Sequence, residues 1–108
     1  MTTKIKDLGE IELLNRLKRF MRCGQIDDDI AEINTRNKSL LINTDLLVDK
    51  IHFSETISNA KDIGWKCITT NISDLICSGT ENVMSFTVGL VLPPDTHWKW
   101  VENLYEGM

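Results

Sequence analysis

Between positions 59 and 92 the hydrophobic pattern changes period, and that change constrains the fold more than any other feature of the sequence. Over 59–78, Trp65, Ile68, Ile72, Leu75 and Ile76 recur on one side of a helical wheel. Cys67, Asn71, Asp74 and Ser78 form a second stripe, small and polar, rotated well away from the first. Gly79 ends the helix. From 83 to 92 the period becomes two, with Met84, Phe86, Val88, Leu90 and Leu92 on one side and Ser85, Thr87 and Gly89 on the other. That predicts a half-buried strand stopped by Pro93-Pro94. A long amphipathic helix feeding such a strand is the signature of a mixed α/β (α+β) domain.

The flanking segments agree. Leu14, Leu17, Phe20 and Met21 predict a helix over 8–21, with Asp7 and Glu10 spaced as a capping box and Gly24 as its stop. Two apolar runs, 30–33 and 40–42, flank polar residues 34–39 and read as a hairpin, with Thr44-Asp45 at the end of its second strand. A last helix begins near Asp95 or Thr96 and carries Trp98, Val101, Leu104, Tyr105 and Met108 at apolar spacing. That pattern still runs at the final residue, which leads us to expect a truncated chain.

At 108 residues the sequence suits one small domain, 1–108. The net charge of −4 argues against a nucleic-acid surface, and the basic cluster Arg16, Lys18, Arg19 and Arg22 spreads around a helix as a solvated face. No apolar run approaches the roughly 20 residues of a membrane span, and the polar start does not resemble a signal peptide. Cys23, Cys67 and Cys77 are odd in number and lack zinc-ligand spacing, so free, buried thiols in a cytoplasmic protein are expected.

Three acidic positions carry the candidate chemistry: Asp27-Asp28-Asp29 between a helix and a strand, Asp45 at a strand end, and Asp74 inside an amphipathic helix one turn from Asn71. Taken singly, each reads as a turn, cap or surface aspartate. One small α/β domain can nevertheless bring Asp29, Asp45 and Asp74 together. Two carboxylates about 6 Å apart repel by roughly 3 kcal/mol at an effective dielectric near 20, so such a cluster calls for a cation. Hard oxygen donors with Asn and Thr nearby suit Mg²⁺, which usually shares a nucleotide's phosphates. No P-loop, dinucleotide fingerprint, protein-kinase signature or nucleophile elbow is present.

At these residues the sequence resembles the thiamine-monophosphate kinases. The resemblance runs through Asp7-Leu8-Gly9-Glu10-Ile11-Glu12-Leu13-Leu14, then Asn43-Thr44-Asp45-Leu46-Leu47-Val48-Asp49-Lys50-Ile51-His52-Phe53. Asp62-Ile63-Gly64-Trp65-Lys66 and Asn71-Ile72-Ser73-Asp74-Leu75 follow in the family's order. It implies phosphorylation of thiamine monophosphate to thiamine diphosphate with ATP as co-substrate and Mg²⁺ as cofactor. It also implies the aminoimidazole-ribonucleotide-synthetase-like fold: a mixed sheet with helices on one side, completing a barrel across a homodimer. By position, Asp29, Asp45 and Asp74 are implied as metal ligands, with Thr44 contributing. Asn43 stands where the family often has Ser, and its amide oxygen can still coordinate. His52 is implied to face the thiamine phosphate. Asp28 remains the alternative to Asp29, since a slip of one residue exchanges them.

The family's Ile-Gly-Asp-Asp is here Ile26-Asp27-Asp28-Asp29, which adds a negative charge where the family has Gly. The family's later Gly-Gly-Asp segment and second domain lie beyond this sequence, so little or no kinase activity is expected of the chain alone. Aminoimidazole ribonucleotide synthetase and selenophosphate synthetase fit less well, because their characteristic segments are absent near Asp45 and near the start. A reading from another class is a non-catalytic module that dimerises or binds Mg-nucleotide.

Overall fold

The computed structural model describes residues 4–21 and 29–108. Helix α1, Gly9–Leu17, is shorter than its pattern and finishes in a 3-10 turn, Lys18–Phe20. The expected capping box does not form. A 3-10 turn at Ile5–Asp7 delivers the chain to Leu8 already in a helical conformation, so Asp7 never takes the extended geometry that lets a side chain cap. Gly9 then adopts a left-handed φ of 68°, which a residue with a Cβ resists. No residue of α1 is buried. On its basic surface Arg16 pairs with Glu12 and Arg19 lies over Phe20, as a solvated face requires.

The hairpin forms as its pattern predicts. Strands β1, Ile30–Asn34, and β2, Ser39–Asn43, pair antiparallel from Ile30 opposite Asn43 to Asn34 opposite Ser39. The turn is held by Thr35, whose N–H and hydroxyl both donate to the Lys38 carbonyl at 2.8 and 2.6 Å. Directly opposed residues share a face. Ile30, Leu41 and Asn43 therefore share the side on which Ile30 is buried, while Ile33, Leu40 and Ile42 share the other and stay exposed.

Helix α2, Ala60–Cys77, is fixed at both ends. The Asn59 side chain accepts the Asp62 N–H at 3.0 Å. At the other end Gly79 takes a φ of 87°, and the N–H groups of Gly79 and Thr80 reach the carbonyls of Ile76 and Leu75 in a Schellman arrangement. The buried side of this helix differs from the expected one. Ala60, Ile63 and Gly64 pack inward, in line with Cys67 and Asn71, whereas Trp65 is 64 % exposed and Ile76 59 %.

The reason lies in helix α3, Trp98–Gly107, whose backbone approaches closely. A Cβ on Gly64 would strike the Leu104 carbonyl, and one on Gly107 would strike the Lys61 carbonyl. Small residues at the crossing admit that approach and bulky ones would prevent it. Leu104 completes the core with Ala60 and Ile63, and Leu47, Phe53, Trp100 and Met108 pack around it.

The expected strand at 83–92 is a correction. The segment is extended, but among the described residues it joins no ladder and makes no backbone hydrogen bond. Its alternation is present in sequence, but a strand exists only where a neighbour takes up its N–H and C=O groups. The sheet of the described residues accordingly has two strands, both antiparallel. The domain is flat, 49 × 44 × 22 Å, and exposes 9367 Å². A compact monomer of this mass would expose roughly 6,100 Å².

Candidate functional site

The end of β2 and the small-residue stripe of α2 meet across an open trough of about 1230 Å³, closed on its far side by 82–92. Asn43 occupies the last position of β2 on the face turned to α2, and its amide Nδ2 donates to Asp74 Oδ2 at 3.1 Å. That bond joins residues of the hairpin and the helix and leaves the Asn43 amide oxygen available. Thr44 and Asp45 follow directly, and Asp29 precedes Ile30, the partner of Asn43 in the ladder. Asp29, Asn43, Thr44 and Asp45 thus belong to one end of the hairpin, with Asp74 tied to it.

Asp45 is exposed, and its Oδ1 accepts the Leu46 N–H at 2.8 Å, which fixes one carboxylate oxygen and leaves the other open. Its charge is felt across the trough. The Cys67 thiol is pushed up from its ordinary value, first by burial and then by the negative charge of Asp45. Cys67 is half-buried, and Cys77, expected to be buried, is exposed, because the close α2–α3 contact lies at the other end of the helix. Asn71 is turned away from the acidic groups at its amide nitrogen, which donates to the Cys67 carbonyl at 2.9 Å.

Among the described residues, no group of three or more His, Cys, Asp or Glu side chains is gathered closely enough to hold a metal ion. The structure brings Asn43 to Asp74 and sets Asp45 near Cys67; it does not close Asp29, Asp45 and Asp74 into one cage. The donor chemistry still suits Mg²⁺: carboxylate, amide and hydroxyl oxygens in an open arrangement, the kind that leaves coordination positions for water and phosphate. Asp27 and Asp28 lie outside the described residues, as do Cys23 and Gly24.

His52 lies in a tight loop at 48–53 where Lys50 adopts a left-handed φ of 62°. Its Nδ1 accepts the Val48 N–H at 2.9 Å, and its own N–H donates to the Val48 carbonyl at 2.9 Å. Lys66 of α2 donates from Nζ to the His52 carbonyl at 2.7 Å. Sequence reasoning passed over Lys66, and no local pattern marks it, because the contact joins residues 14 apart through a turn. His97 is exposed immediately before α3, as expected of a surface residue at a helix start.

A family model described as AIR synthase related protein, N-terminal domain, matches residues 27–108. Among curated proteins, the chain is 54 % identical over 104 residues to a thiamine-monophosphate kinase of Prochlorococcus marinus, covering 96 % of this chain and 31 % of that protein. It is 34 % identical to the thiamine-monophosphate kinase of Synechococcus elongatus, over 96 % of this chain and 32 % of the relative. With that of Aquifex aeolicus it shares 33 % identity, over 97 % and 34 %. The chain therefore spans about a third of the length of these relatives. No solved structure matches it significantly.

Proposed function

This chain belongs to the AIR synthase related protein family through its N-terminal domain, and on that premise we propose that it is the amino-terminal, Mg-ATP-handling part of a kinase that converts thiamine monophosphate to thiamine diphosphate. The observation that carries the reading is the Asn43–Asp74 hydrogen bond, which links the hairpin end bearing Thr44 and Asp45 to the helix bearing the third carboxylate. In this proposal Asp29, Asp45 and Asp74 hold Mg²⁺ through carboxylate oxygens, Thr44 and Asn43 add neutral oxygens, and Asp28 is the alternative to Asp29. Bound there, Mg²⁺ supplies positive charge against the phosphates of ATP. The chain's own groups orient: Asn43 keeps the Asp74 carboxylate turned toward the hairpin, and His52 faces the phosphate of thiamine monophosphate.

A second copy of the chain is part of the proposal. The apolar sheet face of Ile33, Leu40 and Ile42 is uncovered, and 83–92 lacks a neighbouring strand among the described residues. A homodimer whose sheet continues across the interface would satisfy both and account for the surface in excess of a compact monomer. Free thiols suit a cytoplasmic placement, and among the described residues no helix is long and apolar enough to cross a membrane.

Two measurements test this. Titration calorimetry with Mg-ATP should give saturable heat with the chain, and Asn43→Leu should weaken it about tenfold by freeing Asp74. Heat unaffected by Asn43→Leu and by Asp74→Asn together would remove the metal assignment. Incubating the protein that carries this sequence with thiamine monophosphate, ATP and Mg²⁺ should yield thiamine diphosphate. Binding of Mg-ATP without that product would favour the non-catalytic module.

A further inference from the structure

The loop at 48–53 does more than carry His52; it fixes which of the ring's nitrogens bears the proton. An imidazole nitrogen that accepts an N–H has its lone pair in the bond and no hydrogen of its own. Val48 N–H donates to His52 Nδ1 at 2.9 Å, so the hydrogen of the neutral ring lies on Nε2. The bond is one half of a reciprocal pair, since the His52 N–H donates back to the Val48 carbonyl. The Lys50 N–H donates to the Phe53 carbonyl at 2.8 Å and closes the same loop, and Phe53 packs against the Ala60, Ile63 and Leu104 core.

Lys66 secures this loop from the other side. Its ammonium donates to the His52 carbonyl at 2.7 Å, tying the loop to α2, and it takes part in no ion pair among the described residues. Lys66 thereby brings its positive charge to the main chain of a loop that also carries Asp49 and Lys50. The ring of His52, on the same loop, turns Nδ1 to the Val48 N–H and presents Nε2 as the donor. A donor N–H on a loop tied down by an ammonium group is complementary to an anionic oxygen.

We propose that Lys66 is a positioning residue that, with the Val48 N–H, holds the His52 ring so that its Nε2–H is the hydrogen-bond donor to a substrate phosphate oxygen. His52 thereby meets the phosphate through a donor N–H. This rests on the reading in which His52 faces thiamine monophosphate, and it adds a residue and a protonation pattern to that reading.

Long-range proton–nitrogen correlation spectra of the ¹⁵N-labelled, ligand-free chain test the lock directly, with His97 as an internal control. His52 should show a pyridine-like Nδ1 and a protonated Nε2, while His97 shows averaged tautomers. Lys66→Met should shift His52 toward averaging and Lys66→Arg should preserve the locked pattern, with helical circular dichroism unchanged in both. Thiamine monophosphate should perturb the His52 Nε2–H and thiamine should leave it alone, and Lys66→Met should weaken thiamine monophosphate about tenfold. A protonated Nδ1 at His52, a His52 spectrum indifferent to Lys66→Met, or an equal response to thiamine with and without its phosphate would each overturn the proposal. The lock is read without ATP, Mg²⁺ or turnover, so its failure is distinct from a failure to form thiamine diphosphate.

Discussion

Helices α2 and α3 meet with their backbones almost in contact, over Gly64 and Gly107, and bury Ala60, Ile63 and Leu104 between them. The other side of the molecule is built from comparable raw material: the alternating residues of 83–92 and the apolar face of the hairpin. There Met84 is 86 % exposed and Val91 97 %. The difference is one of self-sufficiency. A helix satisfies its own backbone and needs only a small-residue stripe to dock, whereas a strand depends on a neighbour for every N–H and C=O it presents. The helical half of this domain is closed within the chain, and the strand half is left without a neighbour among the described residues.

Substitutions that attack the closed half should have the largest effects. Leu104→Ala removes the most deeply buried side chain of α3 and should cost about 3 kcal/mol in urea unfolding. Gly64→Ala puts a methyl group against the Leu104 carbonyl, which is backbone and cannot turn aside, so the helices must part; a loss of about 2 kcal/mol is expected by the same measurement. On the open half, Phe86→Ser should change the stability of the isolated chain by less than about 0.5 kcal/mol, since Phe86 is 44 % exposed and is not among the residues packed on the Ala60, Ile63 and Leu104 core. The same variant should lower self-association in sedimentation if the proposed dimer covers this face. A loss from Phe86→Ser as large as that from Leu104→Ala would abolish the contrast between the halves.

The smallest effect is chemical. Cys67 holds its proton above the ordinary thiol value of 9.0 through burial and then Asp45, whereas Cys77 is exposed. The raised folded value stabilises the fold below about pH 9 and that contribution is lost as pH rises through it. At pH 8 iodoacetamide should modify Cys77 before Cys67, and Asp45→Asn should narrow the gap. Equal rates in the unsubstituted chain would place Cys67 outside the trough.

What the sequence disclosed follows from where its rules are local. The hairpin was readable because both strands and their turn lie within 14 residues, and α2 because Asn59 and Gly79 mark its ends. The buried side of α2 was misread because hydrophobic periodicity favours large residues, and this helix docks through Ala60 and Gly64. The strand expected at 83–92 has the right alternation, but pairing is a property of two segments. For the site, spacing and resemblance named the acidic residues, Asn43, Thr44 and His52. The tie from Asn43 to Asp74 and the reach of Lys66 to His52 join distant positions and emerge only from the fold.

The capped helix α2 has one more consequence. Lys66 and Asp74 are eight residues apart on a single uninterrupted helix, which sets them about 12 Å apart along its axis. The helix is thereby a ruler between the loop proposed to hold a substrate's phosphate and the carboxylate proposed to face a nucleotide's. Its graduations are angular as well as linear. One residue inserted between Lys66 and Asp74 would lengthen the span by only about 1.5 Å but swing Asp74 by about 100° away from Asn43.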